Sequence, residues 1–305
     1  MTITEADRAI LYALSRYHYL TAAQAGRLLY PNLADEHRHI QRRLKRLTDA
    51  GYLLRLRALP APRYGQAPHV FTLARLGRQY LTALGVSVRP YFRPSEEARA
   101  TENNPFMEHR LAAIDVMIAA DCLCRDHQVS CLRMLSERDL KHDAVRVNVP
   151  PGPRASTEAT RRVAVIPDAW FQLSVAGQPA VSVALELDRG TEDQLAWRRK
   201  AVALALWADG PYREAFASDN LTIAVVCPDA TRRDVLREWT CRELTERGCG
   251  DVLDIFLFTA ESPAGTPPQW FFFGPHWYLP QHLETMALLD PPPEPDVKEV
   301  PIFLP

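Results

Sequence analysis

The chain has 305 residues, 47 % of them hydrophobic, and a formal net charge of −1. That length allows two domains with a sizeable core, and that composition excludes disorder as the default state. No run of about 18 apolar residues occurs, and Met1 to Asp7 lacks a basic segment leading into an apolar one. Neither a membrane span nor a signal peptide is expected, and the setting reads as cytoplasmic.

The charge is unevenly spread. The first ninety residues hold fourteen Lys and Arg against five Asp and Glu, so the remainder is acidic. Such asymmetry suggests a nucleic-acid-binding module joined to something else. Cys122, Cys124, Cys131, Cys227, Cys241 and Cys249 form no paired CxxC framework. In a cytoplasmic protein they read as reduced thiols rather than disulfides or zinc ligands.

Glu5 to Tyr17 predicts a helix with Ile10, Leu11 and Leu14 on one side and Thr4 as N-cap. Thr21-Ala22-Ala23-Gln24 has the form of a capping box opening a second helix, which Pro31-Asn32 ends. Asp35 would cap a third helix running to Ala50, with Gly51 just past its end. There Ile40, Leu44 and Leu47 recur at core spacing, while Arg38, Arg42, Arg43, Lys45 and Arg46 fall largely on the other faces. Tyr52 to Arg57 reads as a strand, Leu59 to Pro68 as a Pro/Gly-rich tip, His69 to Leu73 as the returning strand, and Ala74 to Leu84 as a closing helix.

Helix, helix, helix, strand, tip, strand, helix is the order of a winged helix, assigned to residues 1–90. The stretches Arg46-Leu47-Thr48-Asp49-Ala50-Gly51-Tyr52-Leu53 and Phe71-Thr72-Leu73-Ala74-Arg75-Leu76-Gly77 resemble those of winged-helix regulators. The third helix would enter the major groove of double-stranded DNA, and Arg55, Arg57 and Arg63 on the wing would reach phosphates. The charges alone would also suit a solvated helix face, and some winged helices bind only protein. The topology and the scarcity of acids favour DNA.

Residues 91–104 read as a linker, 105–288 as an α/β domain and 289–305 as a Pro-rich tail. Phe106 to Arg125 predicts a long helix and Val129 to Met134 a strand. Lys141 to Arg162 is a basic, Pro-rich excursion, a loop or hairpin. Ala169 to Val175 and Val181 to Leu187 are strands joined by a turn at Gly177-Gln178-Pro179. Arg189 to Trp207 and Thr231 to Arg247 predict helices, and Leu221 to Cys227 and Val252 to Phe258 strands. This alternation gives an α/β sandwich, and its antiparallel hairpin makes the sheet mixed. Trp170, Trp197, Trp207 and Trp239 read as core rather than base-stacking platforms. His109 and His142 show no ligand spacing, and without G-x-x-x-x-G-K no nucleotide hydrolysis is expected.

The carboxylates carry the chemistry. Asp168 begins one strand of the hairpin, and Glu186 and Asp188 end the next, at the same end of the sheet. Acidic oxygens converging there would suit Mg²⁺ or Mn²⁺, which activates water and stabilises charge on a phosphate. Lys200 sits on the following helix and would help with that charge. Glu186, inside an apolar strand, could instead pair with Arg189, Arg198 or Lys200, and Asp168 could be only a turn residue. Thr191 could cap the next helix.

Pro167-Asp168 and Glu186-Leu187-Asp188, in a helix–strand–strand–strand–helix–strand order, resemble the PD-(D/E)xK nuclease superfamily. That resemblance implies catalytic roles for Asp168, Glu186 and Lys200, with Glu108 and Asp188 accessory, and a metal on Asp168 and Glu186. The superfamily's usual Lys two places after the Glu is Asp188 here, and Lys200 would supply it from the next helix. More narrowly, Glu186-Leu187-Asp188-Arg189-Gly190-Thr191-Glu192 followed by Lys200 resembles the replication-relaxation family of plasmid and mobile-element proteins. The expected fold is therefore α/β (α+β), an N-terminal winged helix followed by a nuclease-like mixed-sheet sandwich. The expected function is DNA binding in plasmid or mobile-element replication or relaxation, with metal-dependent cleavage left open. The alternative is a regulator or accessory factor whose second domain forms a homodimer or holds a partner. The apolar end of the tail would dock on the chain itself or on a protein partner, unless it is disordered.

Overall fold

The computed structural model describes residues 2–30, 36–56, 68–88, 105–152 and 159–293. Two capping boxes shape the start. Thr4 and Asp7 exchange side-chain and backbone bonds at the head of α1 (Glu5–Tyr17), and Thr21 and Gln24 do the same for α2 (Ala22–Leu29). Ile40, Leu44 and Leu47 on α3 (Glu36–Asp49) are fully buried, as their spacing predicts. That helix ends where Gly51 turns left-handed (φ 77°) and the amide of Tyr52 reaches the carbonyl of Leu47 at 2.9 Å. Strands β1 (Leu20–Thr21), β2 (Leu53–Leu56) and β3 (Val70–Leu73) form a sheet in the order β1-β3-β2, and α4 (Arg75–Ala83) closes the unit. Gly77 on α4 lies so close to the carbonyl of Tyr52 that a β-carbon there would collide with it.

The second unit runs α5 (Pro105–Asp126), β4 (Val129–Ser136), α6 (Glu137–His142), β5 (Val145–Val149), β6 (Arg161–Val165), β7 (Ala169–Val175), β8 (Val181–Leu187), α7 (Gln194–Asp209), α8 (Pro211–Phe216), β9 (Thr222–Val226) and α9 (Ala230–Glu246). It continues through β10 (Phe256–Thr259), α10 (Pro268–Phe273), β11 (Trp277–Tyr278) and β12 (Thr285–Met286). Seven strands make one mixed sheet, ordered β12-β11-β10-β9-β8-β7-β4. β7 runs antiparallel to both of its neighbours, β4 and β8, while β8, β9 and β10 run parallel. The basic excursion is a separate antiparallel ribbon, β5–β6.

Alternation sends the strand side chains into two cores. Phe171, Leu173, Val183 and Leu185 pack with α5, and that cluster runs on without a break into the winged-helix core. Trp170, Ala184, Ile223 and Val225 face the other way, onto Trp197 and Trp207 of α7 and Leu236 of α9. The two units are also joined by polar contacts. Gln24 donates to the carbonyl of Leu111 at 2.8 Å, Arg27 pairs with Asp115, and Asp121 holds Arg16 at 2.7 Å and the hydroxyl of Tyr17.

Two boundaries differ from the sequence reading. α7 begins at Gln194 on an Asp193 cap, not at Arg189 or a Thr191 cap, because Gly190 takes φ 76° and interrupts the backbone. Residues Gly250–Ile255 form a 3-10 turn, so the strand expected from Val252 starts at Phe256. α10, β11 and β12 were not foreseen; the two strands span only two residues each, too few to display a period. Asp35, residues 91–104 and the tail beyond residue 293 lie outside the described residues.

Candidate nucleic-acid interface and acidic cleft

The cations of α3 divide by what faces them. Asp7 of α1 is fully buried, and Arg43, at 3.2 Å, and Arg46 both pair with it. Its carboxylate also accepts the amide and hydroxyl of Thr4, at 2.9 and 2.6 Å. Burial pushes the Asp7 carboxyl up, but Thr4 and Arg46 outweigh it and hold it below the usual range. Arg43 and Arg46 are thus tied to the unit's own fold. Arg38, Arg42 and Lys45 stand exposed. Arg38 and Arg42 have no acidic partner among the described residues; Arg42 only donates to the carbonyl of Arg38 at 3.3 Å. Lys45 meets Asp49 at 2.5 Å in a pair lying largely in water. A cavity of about 660 Å³ opens between the head of α2, α3 and the β2–β3 ribbon, with Gln41, Lys45, Arg55 and His69 on its walls. Arg55 is exposed there. Arg57 and Arg63 lie outside the described residues.

The acidic cleft is built by register. Ala169 faces Leu185 across β7 and β8, so Asp168 falls opposite Glu186. The amide of Asp168 donates to the carbonyl of Leu185 at 2.9 Å. One carboxylate oxygen of Asp168 accepts the amide of Leu187 at 2.8 Å, and the other stands 2.7 Å from Nε2 of His109 on α5. The bond to Asp168 raises the pKa of His109 against the effect of burial.

Glu186 is 3 % exposed and faces the ammonium of Lys200 at 3.1 Å. Burial pushes its carboxyl up to about 7, the nearby Asp168 adds to that, and Lys200 opposes it. Lys200 also bonds Glu192 at 2.5 Å. Burial would lower the Lys200 pKa, and the carboxylates of Glu186 and Glu192 raise it instead. The buried Asp188 takes both arms of Arg232, at 2.6 and 3.0 Å, and Glu108 pairs with Arg189.

Asp168, Glu186, Asp188, Lys200 and Glu108 are all gathered around one end of the β7–β8 hairpin, and each already holds a protein partner. A divalent metal on Asp168 and Glu186 would have to share both carboxylates with these protein partners. Asp168 has given both oxygens to Leu187 and His109, and Glu186 faces an ammonium. Among the described residues, no three His, Cys, Asp or Glu side chains are grouped to hold an ion.

A cavity of about 320 Å³ reaches Asp168 and His109 from beside Tyr17 and Tyr19 of the winged helix. A larger one of about 540 Å³ reaches Glu186 and Lys200 beneath the β5–β6 ribbon. Sequence reasoning gave no role in the cleft to His109, Glu192 or Arg232. His109 lies 59 residues from Asp168, and Arg232 lies 44 from Asp188, so no local pattern links them.

The chain is thus a winged helix joined to a mixed α/β sandwich whose core runs α5–β4–β7–β8–α7–β9. The replication-relaxation family model matches residues 11–204, more than half of the chain, and the chain belongs to that family. A solved structure of Bacillus subtilis PadR in complex with operator DNA is similar at 19 % identity, over 41 % of this chain and 70 % of that one. Its TM-score is 0.22. No curated protein matches the sequence. No helix among the described residues is long and apolar enough to cross a membrane.

Proposed function

We propose that this chain binds duplex DNA through its winged helix during replication or relaxation of a plasmid or other mobile element, and that its nuclease-like domain holds DNA or a partner without cutting. The observation that carries this reading is the contrast in charge pairing. Arg38, Arg42 and Lys45 are presented to solvent on α3, whereas the carboxylates of the cleft are matched by Lys200, His109 and Arg232. Such cations neutralise phosphates at little cost, since Arg38 and Arg42 have no acidic partner among the described residues to surrender and Lys45 has only the exposed Asp49.

The test has two arms. Labelled duplex DNA titrated with the wild-type chain should bind with a steep salt dependence, and Arg38→Ala/Arg42→Ala should flatten it by about 2 in log–log slope. Supercoiled plasmid incubated with the chain and Mg²⁺ or Mn²⁺ should keep its form.

A second reading, metal-dependent cleavage, is favoured by the placing of Asp168 opposite Glu186 with Lys200 at 3.1 Å from the latter. It requires His109 and Lys200 to give up their bonds to these carboxylates. Nicked plasmid from the wild type, lost in Asp168→Ala and Glu186→Ala, would establish it and sink the non-cutting reading. In the non-cutting reading the second domain is free to form a homodimer or to hold a protein partner.

A further inference from the structure

We propose that the β5–β6 ribbon is a second duplex-DNA contact, with Arg146, Asn148 and Arg162 as the residues that meet the DNA. The inference rests on the DNA-binding reading above and adds a site outside the winged helix.

The ribbon is two-faced by register. Val145 faces Val165 and Val147 faces Val163, while Arg146 faces Ala164 and Asn148 faces Arg162. Residues opposite each other share a face, so the valines and Arg161, which faces Val149, form one side, and Arg146, Asn148, Arg162 and Ala164 form the other. Val147, Val149 and Val165 are buried against the second core, which includes Ala203 and Leu204 of α7. That fixes the polar side outward, and Arg146, Asn148 and Arg162 are indeed exposed.

The outward cations are unspent. Neither Arg146 nor Arg162 has an ion pair or hydrogen bond among the described residues, whereas the more buried Arg198, Lys200, Arg232 and Arg247 of the same domain are each paired with a carboxylate. They are diagonal neighbours across the ribbon, about 7–8 Å apart along the backbone. The small Ala164 beside them leaves that face open. A twisted two-stranded ribbon fits the major groove, and Arg and Asn are residues that reach phosphates and base edges there. Charge complementarity therefore selects the nucleic-acid backbone as the occupant. Position supports it as well, because the inner side of the same ribbon roofs the 540 Å³ cavity that leads to Glu186 and Lys200.

The experiment uses the full chain and a labelled duplex, with affinity measured across salt concentrations. Each lost phosphate contact removes about 0.9 from the log–log slope. Arg146→Ala/Arg162→Ala should therefore flatten the slope by about 2, shrinking the affinity loss between about 50 and 200 mM salt by roughly tenfold. Arg146→Lys/Arg162→Lys should restore most of that slope, since a phosphate contact needs charge more than a fork. Both pairs should melt with the wild type, as these exposed side chains make no ion pair or hydrogen bond among the described residues. An unchanged slope in the alanine pair, with Arg38→Ala/Arg42→Ala still flattening it, would overturn the ribbon contact and leave the winged-helix reading intact. A lysine pair that behaves like the alanine pair would overturn the phosphate assignment. A wild-type chain that binds no duplex would overturn both readings.

Discussion

The winged helix and the acidic cleft use the same residue types in opposite ways. On α3 two arginines are anchored on the buried Asp7, while Arg38 and Arg42 are left to water. In the cleft Glu186 faces Lys200, Asp168 faces His109, and Asp188 faces Arg232. A charge already paired in a buried site is costly to separate, whereas a solvated cation neutralises phosphate while releasing a counterion. The difference teaches that charge count along a sequence does not locate a binding surface. Pairing does, and pairing is set by tertiary structure.

The largest expected effect breaks the cleft side of this comparison. Asp188 has a fully buried side chain holding both arms of Arg232. Asp188→Ala strands that guanidinium, so unfolding free energy in urea should fall by about 3–5 kcal/mol. Asp188→Ala/Arg232→Met should recover much of the loss, because the stranded charge is gone. A single variant as stable as wild type would show that the pair contributes little.

The next effect separates the two regions by sign. The Glu186 pKa is raised from 4.5 to about 7 on folding, so the folded chain holds an extra proton between those values. Its contribution is full below pH 4.5 and lost as pH rises through about 7, a decline of roughly 3 kcal/mol at most. His109, also raised, adds a loss as pH climbs from 6.5 through its folded value. Asp7 acts oppositely, since its pKa is lowered, and its contribution is full above pH 3.8 and lost as pH falls through the folded value. Urea midpoints measured from pH 4.5 to 8 should therefore decline in wild type and decline less in Glu186→Gln. An equal decline in both would remove Glu186 from the account.

Much of the fold was legible because local signals agreed. Thr4 and Thr21 each sit three residues before a side chain able to complete a capping box, and Ile40, Leu44 and Leu47 mark one helix face. The β7–β8 hairpin was legible from alternation and its Gly177 turn, which takes φ 78°. The carboxylates at its end followed from strand register. Lys200 was among the partners the sequence offered for Glu186, but Arg232 from α9 and His109 from α5 did not follow. The division of the α3 cations was equally hidden. Arg42 and Arg43 are adjacent in sequence, yet only Arg43 reaches Asp7, 36 residues away.

The smallest effect tests the rule that pairing locates the surface, at the one α3 cation that sits between the two classes. Lys45 touches Asp49 at 2.5 Å, but the two side chains are 75 % and 61 % exposed. An i,i+4 pair that wet is worth about 0.3–0.5 kcal/mol, so Lys45→Ala and Asp49→Asn should each leave the melting curve almost unmoved. Their effects on DNA should diverge. Lys45→Ala removes a cation from the α3 face and should flatten the salt dependence of duplex binding by about 1 in log–log slope. Asp49→Asn removes a repelling charge, frees Lys45 and should tighten binding severalfold at low salt, by no more than a single exposed charge allows. Weakening by both variants would mean that Asp49 holds Lys45 in place for DNA, and a solvated cation would then no longer be the better contact on this helix.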